Sequence, residues 1–249
     1  MTGLMPSFGT GLRVAVIGAG GGIGAALVNA LAEDPAVAEV HAYSRAGDIP
    51  PGPKLRSGQI DILREESIAA AAAGIGGDPL HLVFVASGLL HDGARGLSPE
   101  KSWTALDASA LAALFAVNAT GPALVAKHFL PHLAKERKTA FAAISARVGS
   151  ISDNGLGGWY GYRASKAALN QLIKTLSIEL ARKNPSALCV GLHPGTVATA
   201  LSAPFQKGVP EEKLFTPDYS ARAMLTVLNG LDRDDSGALF AWDGKPIPF

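Results

Sequence analysis

The stretch "RVAVIGAGGGIGAALV" (Arg13–Val28) decides the fold. An apolar run of strand character, Arg13–Gly18, ends on glycine, and a stretch of helical period opens at Gly24. Gly18, Gly22 and Gly24 give the spacing G-x-x-x-G-x-G; Gly20, Gly22 and Ala25 also satisfy G-x-G-x-x-A. The chemistry that needs this pattern is the approach of an anion to bare backbone. A helix N-terminus offers unpaired N–H groups and the positive end of the helix dipole. A dinucleotide pyrophosphate can settle there only where no side chain intervenes, so glycine is required. A flexible turn is the plainer alternative; the position between a first strand and a helix favours nucleotide binding.

Outward from this segment, apolar runs alternate with helical ones. Strands are expected over Ala38–Arg45, Gly58–Ile62, Leu80–Gly88, Thr139–Ser145, Ala187–Gly195 and Gly237–Gly244. Helices are expected over Gly24–Asp34, Glu65–Ile75, Tyr160–Lys183 and Ser220–Leu231, with Ala108–Ala134 as one long helix or two bent at Pro122. Continuous apolar strands alternating with helices imply an α/β fold. The sheet is doubly wound and parallel (Rossmann-type), in a single three-layer domain over 1–249. Residues 1–11, rich in Gly, Thr, Ser and Pro, read as a loose tail.

Composition narrows the function. Hydrophobic residues make up 48% of 249, charged residues 17%, and the formal charge is +1. No basic stripe points to nucleic acid. The one cysteine, Cys189, lies in an apolar run and reads as a buried thiol in a reducing compartment. No signal peptide is evident, no apolar run reads as long enough for a bilayer, and no metal pattern is present. A cytoplasmic location without nucleic-acid or membrane partners is the expectation.

The second strand selects the dinucleotide. An acid at its end would hold the ribose 2′-hydroxyl of NAD. Here "AYSRAGD" places Tyr43, Ser44 and Arg45 there. Arg45 can pair with a 2′-phosphate, which favours NADP(H) over NAD(H). The alternative is a solvated arginine with Asp48 reaching back. Asp61, with Ile62 after it, follows the third strand; it suits either the adenine amino group or a helix cap.

"WYGYRASKAAL" (Trp159–Leu169) carries the chemistry. Tyr162 and Lys166 are four apart and share a helix face. An ammonium beside a phenol lowers the phenol's pKa and makes it a usable acid or base. Tyr160 lies off that face and reads as packing.

Together these segments resemble the short-chain dehydrogenase/reductase family, across Arg13–Phe249. The matching motifs are "GAGGGIG", Asn118 in "AVNATG", "YRASK" and "HPGTVAT" (His193–Thr199). "ISARVGSISDNGLGGWYGYRASKAALNQL" and "DGKPIPF" look like the C-factor and sniffer-type carbonyl reductase branch. The resemblance implies hydride transfer between a nicotinamide and a carbonyl or secondary alcohol. Tyr162 would be the acid/base, with Lys166 lowering its pKa and holding the ribose. Asn118 would anchor a relay water, or else bond backbone at a helix bend. Cofactor contacts would come from Gly18, Gly22, Ile23, Gly24, Arg45, Asp61, Ile62, Ala86, Gly88, Asn118, Tyr162, Lys166, Pro194, Gly195, Val197 and Thr199. A homodimer or homotetramer is implied as well.

Three departures stand out. Ile17 occupies a place where the family has threonine, and "VASG" (Val85–Gly88) lacks two asparagines. The catalytic serine of the family falls on Ala146. Ser145 is the expected substitute; Ser150, Ser152 or no hydroxyl at all are the alternatives. That loss, with the C-factor resemblance, also admits a nucleotide-bound regulatory protein. Ala200–Asp218, with Phe205 and Phe215, reads as a substrate lid.

Overall fold

The computed structural model describes residues 3–249. The first half comprises β1 (Leu12–Ile17), α1 (Gly22–Glu33), β2 (Val37–Ser44), β3 (Leu55–Gln59), α2 (Glu65–Ala73) and β4 (Leu82–Val85). Then come α3 (Ala108–Phe115), a π turn (Ala116–Thr120), α4 (Gly121–Phe129), β5 (Thr139–Ile144), α5 (Tyr160–Lys183) and β6 (Ala187–His193). The chain closes with β7 (Thr196–Val197), β8 (Leu214–Phe215), α6 (Pro217–Gly230), β9 (Leu239–Ala241) and β10 (Pro246–Ile247). The main sheet runs β3-β2-β1-β4-β5-β6-β9-β10, the doubly wound order. Only β10 is antiparallel to its neighbour.

Both faces of the central strands are buried, so their residues are apolar without alternation. Leu27, Leu31, Leu225 and Leu228 of α1 and α6 cover one face, with Val14, Val16 and Phe84 beneath. Phe129, Leu169 and Ile173 of α4 and α5 cover the other, with Ile17, Val85 and Phe141. Ile17 lies level with Tyr43 and Val85, Val85 with Ala143, and Ala143 with Gly191. Five strands therefore end along one edge, and their loops form the site.

Four expectations need correction. The N-terminal segment is not loose from residue 3 onward (Met1 and Thr2 lie outside the described residues). Met5 and Phe8 are 0% and 1% exposed within the α1–α6 core, and Ser7 is tied to Asn229 by two 2.8 Å hydrogen bonds. β3 begins at Leu55, three residues before the expected Gly58, because an edge strand with exposed Arg56 and Ser57 needs only backbone pairing to β2. The helix break lies not at Pro122, which fits the first turn of α4, but at the π turn around Asn118. Finally, Ala108–His132 is long and apolar enough to cross a membrane by length and composition. That stretch nevertheless turns Leu114, Asn118, Val125, Ala126 and Phe129 inward.

Candidate active site

Three glycines shape the turn after β1. Gly18 adopts φ +91°, and a Cβ there would lie 2.8 Å from Ser87 N. A Cβ on Gly24 would collide with the Gly18 carbonyl, and one on Gly22 would lie 2.7 Å from the Thr199 side chain. The turn thus carries bare backbone into α1, with Ile23 in its first turn and the HPGTVAT loop above it. Ser87 was not singled out in the sequence; its Oγ is buried with no hydrogen-bond partner in the structure. It follows Ala86, whose N–H donates to Ile17 O at 2.7 Å.

At the end of β2, Ser44 Oγ donates to Asp48 at 3.1 Å and accepts from Gly47 N at 2.8 Å. Asp48 therefore reaches Ser44, not Arg45. Arg45 is exposed and, among the described residues, forms no ion pair. Tyr43 turns away, its hydroxyl directed at Ala71 O. Asp61 Oδ1 accepts from Leu63 N at 3.0 Å, a local turn contact, and Ile62 packs against Gly121.

Tyr162 and Lys166 share the first turns of α5, with Lys166 Nζ 5.8 Å from the tyrosine ring centre. Nζ donates to Ile144 O at 2.8 Å, and Lys166 is 1% exposed. Burial pushes Tyr162 up to about 12 and Lys166 down to about 7. The expected lowering of the tyrosine is not met here: removal from water disfavours the charged forms of both groups. Asn118 is fully buried. Its Oδ1 accepts from Leu89 N, and its Nδ2 donates to Leu89 O and to Ser165 Oγ at 3.0 Å. The side chain therefore bonds backbone at the bend. A Cβ on Gly88 would lie 3.7 Å from Asn118 Oδ1 and 3.9 Å from Lys166 Nζ, ordinary contact distances, which puts this position where the loop after β4, the π turn and α5 meet.

Ser145, the expected substitute hydroxyl, is bound elsewhere in the structure. Its Oγ donates to Asn170 at 2.6 Å within the layer between β5 and α5. Ala146 instead joins the cluster of Tyr162, Leu90 and Leu114. Ser150 Oγ accepts from Asp153 N, and Ser152 Oγ donates to Phe249 O. Beyond β6, Pro194 O accepts from Ser220 Oγ at 2.8 Å. Gly195 has φ +80° where a Cβ would strike Phe215, Val197 is 4% exposed, and Thr199 borders Gly22. The expected lid divides: Phe205 packs on Trp159, whereas Phe215 packs on Trp242 and Tyr219.

Trp159, before α5, also escaped sequence reasoning. It is the one non-glycine residue with positive φ among those described, at 54°. Such a conformation costs a bulky side chain on the order of 1–3 kcal/mol. Its N–H donates to Glu100 O at 2.6 Å, which holds the geometry.

A doubly wound sheet whose glycine turn, buried tyrosine–lysine pair and post-β6 loop meet at one edge defines an α/β protein of the dehydrogenase class. The pattern of the short chain dehydrogenase family matches residues 13–209, and the chain belongs to that family. C-signal of Myxococcus xanthus is 37% identical over 150 residues, covering 59% of this chain and 85% of that protein. The NADPH-bound carbonyl reductase from chicken fatty liver superposes with a TM-score of 0.84 at 28% identity, covering 100% of both chains. Carbonyl reductase Sniffer of D. melanogaster has a TM-score of 0.81 at 23% identity, covering 96% of this chain and 100% of the other.

Proposed function

We propose that the chain is an NADP(H)-dependent oxidoreductase that interconverts carbonyl compounds and secondary alcohols. The observation that carries this reading is the buried Tyr162–Lys166 pair beside the glycine turn. The residues present fit a dinucleotide: three positions where a Cβ would collide leave a bare cradle, and the unpartnered Ser87 Oγ lies at its rim. Gly18, Gly22, Ile23 and Gly24 would hold the pyrophosphate. Arg45 would hold the 2′-phosphate, and Asp61 with Ile62 the adenine. Ala86 and Gly88 would border the ribose, and Pro194, Gly195, Val197 and Thr199 the carboxamide. NADPH is also what the chicken carbonyl reductase binds.

A bound reduced nicotinamide supplies the hydride. Tyr162 gives its proton to the carbonyl oxygen; a phenol held at about 12 is protonated at neutral pH, which suits reduction. Lys166, held near 7, exchanges protons readily at that pH and has donors to spare for ribose hydroxyls. Asn118 positions the site by clamping Leu89 and Ser165; the Ser165 hydroxyl also donates to Tyr162 O at 2.9 Å.

Oxidation of NADPH against a panel of ketones and aldehydes tests this. Tyr162→Phe should lower turnover by about 10²–10⁴ while NADPH still binds. Equal rates in parent and variant would remove Tyr162 from the chemistry. Ala146 in place of a hydroxyl, with the likeness to C-signal, favours a second reading: a nucleotide-bound regulatory protein without significant turnover. In that case the parent binds NADPH and reduces nothing in the panel.

A further inference from the structure

Three rings from three segments converge beside Tyr162. Trp159 stands edge-on to Tyr162 with centroids 6.2 Å apart and planes at 71°. Phe205 lies 5.1 Å from Trp159, and His91 lies 5.6 Å from Phe205. His91 Nε2 is 3.2 Å from Ala200 O, which fastens the ring to the Ala200–Asp218 segment. Aliphatic Leu90, Val148 and Leu201 fill in around them, and Ala146 brings no polar atom. Apart from the ring nitrogens of Trp159 and of His91, whose Nε2 lies on Ala200 O, the Tyr162 hydroxyl stands in a wall of aromatic and aliphatic carbon.

The backbone of Trp159 indicates what the indole is for. Gly157 and Gly158 have φ of 64° and 65°, and Trp159 continues the left-handed run at 54°. A third glycine would adopt this conformation without strain. The chain instead carries its largest side chain there, held by Glu100 O on its N–H, and this strained position is the one that sets the indole against Tyr162 and Phe205. Arg163 Nε, which donates to Gly158 O at 3.0 Å, fixes the same turn from the helix side.

We propose that Trp159 determines specificity and that the substrate is an aryl carbonyl, its ring packed on the indole with Phe205 closing over it. Aromatic rings favour such tilted and edge-to-face neighbours over aliphatic groups of equal size. This rests on the carbonyl-reductase reading above. In the reaction the carbonyl carbon gains the hydride of a reduced nicotinamide and the oxygen gains the Tyr162 proton. The aryl carbinol leaves, the nicotinamide is oxidised, and Tyr162 recovers its proton from water.

Acetophenone and cyclohexyl methyl ketone match in size and differ in aromaticity, so their kcat/KM ratio is the readout. In the parent the ratio favours acetophenone. Trp159→Gly, which relieves the backbone, should lower it about tenfold, and Trp159→Phe should retain most of it; circular dichroism and a melting curve confirm the fold of each. A ratio unchanged in Trp159→Gly overturns the proposal. If the parent turns over neither ketone, calorimetric binding of acetophenone to the NADP⁺ complex decides. Weaker binding in Trp159→Gly keeps Trp159 as the aryl wall and sinks only the catalytic reading; equal binding sinks the assignment of Trp159.

Discussion

Replacing Lys166 with methionine should stabilise the folded chain in acid while it abolishes function. Lys166 is 1% exposed, with its Nζ on Ile144 O at 2.8 Å. Burial takes it from the ordinary 10.5 to about 7. A tenfold change in proton affinity is worth about 1.4 kcal/mol, so the buried ammonium costs about 5 kcal/mol when fully charged. The sign follows from linkage. The unfolded chain holds this proton more tightly than the folded one, so the whole cost is present below pH 7 and fades as pH rises to 10.5. Methionine keeps the length and apolar bulk and removes the charge. It leaves the Ile144 carbonyl unpaired, at about 1–3 kcal/mol. The net gain at pH 6 is then about 2–4 kcal/mol, shrinking by about 3 kcal/mol at pH 9.5. Urea unfolding of parent and variant at both pH values, without nucleotide, measures the difference; other titrating groups cancel. Parallel stability–pH curves for the two proteins would falsify the claim that this lysine is held against its charge.

Arg45→Glu should raise the NADPH dissociation constant at least tenfold more than that for NADH, measured by fluorescence titration, because a 2′-phosphate loses its guanidinium and meets a carboxylate. Equal losses would dismiss Arg45 as the phosphate contact. Ala146→Ser should increase kcat tenfold or more for a substrate the parent turns over, since one donor to a developing oxyanion is worth roughly 10²–10³; no gain would mean that position 146 does not face the reacting oxygen. Phe8→Ala should destabilise the chain by about 3–5 kcal/mol in chemical unfolding, as expected for a fully buried ring. A cost under about 1 kcal/mol would restore the loose N-terminal segment.

The sheet was legible because buried parallel strands carry period-free apolar runs and the glycine turn admits few other neighbours. Tyr160–Lys183 was legible to the residue; in the structure left-handed Trp159 stops it on one side and Asn184 on the other. What stayed hidden depends on long-range partners. β3 is an edge strand whose pairing shows no apolar signature. Met5 and Phe8 are short apolar islands in a polar segment, and only the α1–α6 groove gives them a place to go. Tyr162 and Lys166 were placed by spacing, but their proton affinities were not, because spacing reports a neighbouring charge and says nothing about water. Trp159 left no trace because a φ value is not written in a residue name.

The exchange at positions 145 and 146 separates two tasks that one serine cannot perform at once. Ser145 donates to Asn170, whose Nδ2 donates to Gly149 O at 3.3 Å. Asn170 stands one turn beyond Lys166 on α5, and a Cβ on Gly149 would lie 2.7 Å from Lys166 Cβ. These contacts bind the end of β5 and the turn after it onto the helix that bears Tyr162. The Ile144 carbonyl is thereby aimed at Lys166 and Ala146 at Tyr162. A hydroxyl at 145 is a strut, and reversing its bond to reach the reacting oxygen would release the strand end that aims everything else. On the proposed reading, a serine that assists the chemistry belongs at 146, and Ser145 keeps its bond to Asn170.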